Sequence, residues 1–264
     1  MRRNSLFLGA VLLILGGLML ADAYGIRFPS GAKPSDFFFP ALLVLLGAAL
    51  IFGVFRRGKV ETERASIDLQ GASEANLTLS HGAGRLKVHA GAASGLLVSG
   101  TFAGGLRHTA RKSGDRLEVR MRPAHEAFFF PFFGSFSPLD WDVALSADTR
   151  LTLKLESGAN QAEINLRDLR VTDLKLDTGA SDTKLVLPAR GRVRADLDFG
   201  ASSMDITIPD GVSARIRIDQ GISDVKVDGR FPLIGGMYKS ADFETAANAV
   251  DLDIDAGAAN IRIH

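Results

Sequence analysis

Cysteine is absent from this chain of 264 residues, which excludes a disulfide framework, a Cys-ligated zinc site and a thiol nucleophile. Charge excess is missing too. The 31 Lys+Arg and 30 Asp+Glu leave a formal net charge of +1, without the basic field of a dedicated nucleic-acid binder. There is no G-x-S-x-G elbow, no Walker loop and no G-x-G-x-x-G after a strand. His81-Gly82-Ala83-Gly84 is too short to cradle a phosphate. The five histidines, His81, His89, His108, His125 and His264, show no HxxxH or HExxH spacing, and they are expected at scattered surface positions.

Apolar residues are plentiful but unevenly spread. Residues 5–21 (SLFLGAVLLILGGLMLA) and 37–55 (FFFPALLVLLGAALIFGVF) carry no charge. As helices they would run roughly 26 and 28 Å, enough to cross a thin hydrocarbon core. Between them, Asp22 to Asp36 holds Gly25, Pro29, Gly31 and Pro34 and reads as a short turn. Arg2 and Arg3 precede the first span, and Arg56, Arg57 and Lys59 follow the second. These flanks set both ends in the cytoplasm and the loop outside. The expectation is a hairpin of two transmembrane α-helices over residues 1–58, in a multi-pass cell-membrane protein whose domain, residues 59–264, is cytoplasmic. Ala21-Asp22-Ala23 also fits a signal-peptide cleavage site. Cleavage would leave the second span as a lone anchor, with the domain on the same side.

The domain repeats. Gly158, Gly179, Gly200 and Gly221 stand 21 residues apart, within LKLESGANQAEINL (153–166), LKLDTGASDTKLVL (174–187), ADLDFGASSMDITI (195–208) and IRIDQGISDVKVDG (216–229). LDIDAGAANIRIH (252–264) and LTLSHGAGRLKVHA (77–90) share the pattern around Gly257 and Gly82. Apolar residues alternate on both sides of each glycine, which predicts two short strands with one buried face meeting at a bend. The glycine is expected to supply a backbone angle that a Cβ disfavours. Units this small must stack on neighbours, so the predicted class is all-β, a single β-solenoid with one repeat per rung. Further strands are expected at Leu96–Phe102, Arg116–Arg122 and Trp141–Ser146. The last row, ending Ile261-Arg262-Ile263-His264, is expected to leave an open β-edge through which copies could self-associate. An insertion such as Phe231–Met237 could instead cover that edge.

Two features carry candidate chemistry. An acidic column, Glu156, Asp177, Asp198, Asp219 and Asp255, lies two residues before each repeat glycine. It could offer oxygen ligands to a metal such as Ca²⁺, or simply cap bends or face solvent. A second column, Glu163, Lys184, Asp205, Lys226 and Arg262, reads as an ion-pair ladder. The segment 128–136 holds Phe128, Phe129, Phe130, Phe132, Phe133 and Phe136 around Pro131. It suits either a cap on the stack or an exposed patch for bilayer or partner contact.

The head, RRNSLFLGAVLLILGGLMLAD followed by FFFPALLVLLGAALIFGVFRR, resembles the LiaI/LiaF-like membrane region. The tail, from Trp141-Asp142-Val143 through LKLESGANQAEINLRDLRVTDLKLDTGASDTKLVLP, resembles the LiaF-type toast-rack β-domain. That resemblance implies a membrane-anchored β-solenoid without catalytic residues or cofactor, acting as a scaffold or regulatory module in bacterial envelope-stress signalling. Its partners would be the lipid bilayer and a membrane histidine kinase or other membrane protein, with no nucleic acid. The competing expectation is a metal-binding or glycan-active solenoid at the cell envelope.

Overall fold

The structure, a computed structural model, describes residues 62–124 and 139–264, together with 16, 17, 19–21, 24, 25 and 33. The expected spans over 5–21 and 37–55 fall almost wholly outside the described residues. Among the described residues no helix is long and apolar enough to cross a membrane. The strands all lie in one compact unit, Val60–Glu126 with Pro138–His264.

Fourteen strands make one sheet. In chain order they are β1 (Thr62–Asp68), β2 (Glu74–His81), β3 (Gly84–Ala90), β4 (Leu96–Ala103), β5 (Leu106–Ser113), β6 (Arg116–Pro123) and β7 (Leu139–Leu145). They continue with β8 (Arg150–Asn165), β9 (Arg170–Val186), β10 (Arg192–Thr207), β11 (Ser213–Val227), β12 (Leu233–Ile234), β13 (Met237–Lys239) and β14 (Ala249–Ile263).

The long strands β8, β9, β10, β11 and β14 pair parallel, not as hairpins, and each carries a repeat glycine near its middle. Leu155, Leu176, Leu197, Ile254 and Ile218 stand side by side, as do Ile164, Leu185, Ile206, Ile263 and Val227. Both sets point into one hydrophobic core, where all are buried except Ile218 and Val227 on the outermost strand. Each buried aliphatic side chain contributes about 1.5–3 kcal/mol. Between strands the chain turns through Gly191 and Gly211, whose φ angles of +84° and +78° favour glycine.

The repeat glycines serve a different purpose from the one expected. None of the six has a positive φ. They are small because backbones stack at the bend: a Cβ on Gly200 would sit 2.6 Å from the Gly179 carbonyl oxygen, and one on Gly221 2.6 Å from that of Gly257.

The row around Gly82 is split into β2 and β3, which lie on the two halves of β8. Outside them, β6 pairs β2 and β7 pairs β3, both parallel. Antiparallel strands close this end, with β5 on β6, and β4 on β7 followed by β1. β1 and β5 were not expected from the sequence. Trp141 anchors the closure: its Nε1–H donates to the Ala103 carbonyl at 3.2 Å, and its ring meets Phe102 edge-on with centroids 5.1 Å apart.

The other end corrects the sequential stack. β14 does not lie last; it is inserted between β10 and β11. Ala195 and Ile216 thus share Leu252 as a neighbour. Asn248 pins the entry, its Oδ1 accepting the Gly191 N–H at 2.9 Å and its carbonyl accepting the Ser213 N–H at 3.1 Å. At the exit, Ile208 N–H donates to the His264 carbonyl and Asp228 N–H to that of Ile263. The edge expected at Ile261–His264 is therefore interior. The outermost long strand is β11, and β13 covers it only at Arg215 and Ile216. The insertion between the last two repeats thus carries a β12–β13 hairpin that caps the start of β11, not β14.

Candidate contact site

The outward positions before the bend form one charged face. Glu156, Asp177, Asp198, Asp255 and Asp219 do line up across β8, β9, β10, β14 and β11. They point to solvent and do not cap the bend. Glu156 accepts the Ser80 hydroxyl at 2.9 Å and pairs with Lys154 at 2.5 Å. The Lys154 and Ser80 hydrogen bonds hold its carboxyl below the usual glutamate value. No group of three or more His, Asp or Glu side chains suited to holding a metal ion occurs among the described residues.

Two residues further from the bend, the column reads Thr78, Lys154, Lys175, Asp196, Asp253 and Arg217. Beyond β2 the face continues onto β6 and β5, where Arg107 stands opposite Arg122, Thr109 opposite Arg120 and Arg111 opposite Glu118. Before the bend, basic groups thus gather on β5 and β6, β8, β9 and β11 carry one charge of each sign, and β10 and β14 carry carboxylates alone. Sequence reading missed the basic strip, because it depends on antiparallel pairing of β5 with β6 and β5 lacks an apolar alternation.

The Phe-rich segment, Phe128 to Phe136, lies outside the described residues, as do Arg2, Arg3, Arg56 and Arg57. Its flanks are placed. Leu79 pairs Met121 and Gly84 pairs Leu139, so the chain has seventeen residues, 122–138, between those two pairs where the neighbouring rung has four, 80–83. The strand before the segment, β6, has Arg120 and Arg122 as its last outward charges.

His81 corrects the expectation of surface histidines. It is 4% exposed, its ring edge-on to Trp141 with centroids 5.4 Å apart. Nε2 donates to the Leu139 carbonyl at 2.9 Å, and Nδ1 has no partner. Burial pushes its pKa below 6.5, against the raising effects of the Leu139 carbonyl and Asp140. The unfolded chain therefore binds the proton more readily. The contribution of the neutral ring is whole above about pH 6.5 and is lost as the pH falls from there through the folded value. His81→Phe is expected to flatten this acid limb in a series of thermal melts from pH 7.5 to 5. An unchanged slope would assign the limb to other groups.

An open cavity of about 330 Å³ borders the same bend, lined by Gly84, Arg85, Asp140, Asn160 and Gln161 among others. It brings together no nucleophile and base.

Parallel rungs folded over a ridge of glycines, with charged outer faces, define a stacked β-domain. Residues 56–207, more than half of the chain, match the family described as the N-terminal domain of toast_rack, DUF2154, and the chain belongs to that family. None of the curated proteins matches it. A candidate cell adhesion protein from Clostridium sporogenes is similar over 78% of this chain and 99% of its own, with 19% identity and a TM-score of 0.67. At that identity the likeness is one of fold. A candidate adhesin from Bacteroides fragilis covers 78% of this chain and 97% of its own at 9% identity, with a TM-score of 0.28.

Proposed function

We propose that this protein is a non-enzymatic contact module, held on the cell membrane by the hairpin of residues 1–58 and working on its cytoplasmic side. The observation that carries the reading is the length of chain between β6 and β7, seventeen residues from 122 to 138 where the neighbouring rung needs four. A core of stacked aliphatic ladders has no need of six phenylalanines at that point. An apolar segment that follows in sequence on a strand ending in Arg120 and Arg122 suits a partner that is itself at the membrane. A membrane sensor kinase of envelope-stress signalling is the partner class that the LiaF-type resemblance of the head and tail supports.

The test has two arms. A cysteine placed at Asp210, whose side chain is fully exposed, is expected to react with an impermeant maleimide only after the membrane is opened. Labelling in intact cells would overturn the sidedness. Crosslinking in membranes is expected to recover a membrane protein with the native chain. Replacing the six phenylalanines by serine should abolish that recovery while leaving the melting temperature within a few degrees. Equal recovery by both chains would remove the Phe segment from the contact.

A further inference from the structure

We propose that the free edge of β11 pairs antiparallel with the same edge of a second copy of this chain, about a two-fold axis through Val225. The proposal stands on β11 alone, whether or not the head spans a bilayer.

Among the described residues, no strand pairs with β11 on its outer side beyond Ile216. The apolar positions there are half-buried: Val225 and Val227 lack the outer neighbour that keeps Met204 and Ile261, or Ile206 and Ile263, in the core. The backbone direction is fixed by Asp228, whose N–H donates to Ile263 on β14. Along a strand these groups alternate sides, so residues 224 and 226 face β14 while residues 223, 225 and 227 offer their N–H and C=O groups outward. Such a set is self-complementary. With Val225 opposite its own copy, residue 223 meets residue 227 of the other strand.

Charge selects that register. Asp224 and Lys226 flank the axis on the solvent face, with side chains 64% and 68% exposed. Centring on Val225 puts each Asp224 opposite the other copy's Lys226, in the pair type where side chains approach most closely. Centring one residue either way puts Asp224 or Lys226 opposite itself, which is repulsive.

The column through Lys226 gives the same answer. Across the sheet it reads Asp142, Lys87, Glu163, Lys184, Asp205, Arg262 and Lys226. Signs alternate at every step except the last, where Lys226 stands beside Arg262. Lys226 meets its own strand's Asp224 at 3.7 Å, and an incoming Asp224 restores the alternation across the sheet. At the opposite end of the stack the edge strand β5 carries Arg107, Arg111 and Lys112 and no carboxylate, so it offers no such self-match, while the other edge there is β1, on β4. A two-fold contact consumes the edge it uses, so the product is a closed dimer and not a fibre.

The test uses the full chain, which has no native cysteine, in whichever fraction carries it, membrane or soluble. Failure to dimerise is thereby kept apart from failure of the membrane reading. Two differently tagged copies, Asp224→Cys and Lys226→Cys, are co-expressed and mildly oxidised. The mixed disulfide is expected to exceed either homodisulfide at least about tenfold, because opposed residues lie within bridging range while 224 and its copy are about 8 Å apart. In a Val225→Cys reporter joined by a short bis-maleimide, Asp224→Lys should sharply reduce the linked dimer, and adding Lys226→Asp should restore it. No mixed disulfide, equal homodisulfides, or no rescue by the double charge swap would each overturn the proposal.

Discussion

Deletion of residues 249–264 is expected to unfold the C-terminal half of the domain, not to trim an end. β14 is bonded along its length to both β10 and β11. Its Val250, Leu252, Ile254, Ile261 and Ile263 are all buried in the common core. At about 1.5–3 kcal/mol for each, the loss is of order 10 kcal/mol, comparable with the whole stability of a typical domain. Removal also bares two long parallel edges, which invite aggregation. Limited proteolysis should show β9 to β11 degraded with no stable core fragment of full size. A truncated chain that melts within a few degrees of the full one would show β14 to be peripheral. A milder lesion bears on the same strand. Arg215 clamps Asp251 through Nε at 2.8 Å and through Nη2, while its guanidinium lies 4.8 Å from the centre of the Phe243 ring.

The second large effect belongs to the ridge, and it should be graded along it. At Gly200, Gly221 and Gly257 an added Cβ would lie 2.6, 2.6 and 2.8 Å from a neighbouring carbonyl oxygen. At Gly179 and Gly158 the distances are 3.3 and 3.4 Å. Backbone cannot swing aside as a flexible side chain does, so Gly200→Ala must separate two rungs. A cost of about 3 kcal/mol or more is expected, at the upper end for overpacking, against about 1 kcal/mol or less for Gly158→Ala. Denaturant unfolding of the two variants checks this directly. Equal losses would mean that closeness at the ridge does not set the cost.

Much of this architecture was legible. Alternation around Gly158, Gly179 and Gly200 is a local property, and the strands it predicts pair in the register that the glycines mark. The strands expected at Leu96–Phe102, Arg116–Arg122 and Trp141–Ser146 are β4, β6 and β7 with ends moved by one or two residues. Strand order was not legible past Gly200. Every row presents the same inward aliphatics, so the row around Gly257 fits beside Gly200 as well as beside Gly221. What decides the order is non-local: the long return through the β12–β13 hairpin and the two hydrogen bonds of Asn248. The acidic column could be aligned from spacing alone, but its solvation could not, because a bend cap and an outward face have the same sequence signature. His81 was misjudged for a related reason. Its burial comes from Trp141 and Leu139, sixty residues away and beyond the Phe-rich insertion.

The displaced order of β14 has a consequence in time. β10 and β11 leave the ribosome first, yet a full strand's width must stay open between them until the 36 residues from Asp228 to Ile263 have been made. During synthesis the nascent domain therefore holds a vacant slot with an exposed edge on each side. A message broken within the codons for residues 228–248 yields a product that cannot fill it. Such a product exposes apolar ladders that chaperones and proteases recognise. Inserting a later strand between two earlier ones ties completion of the stack to completion of translation through β14.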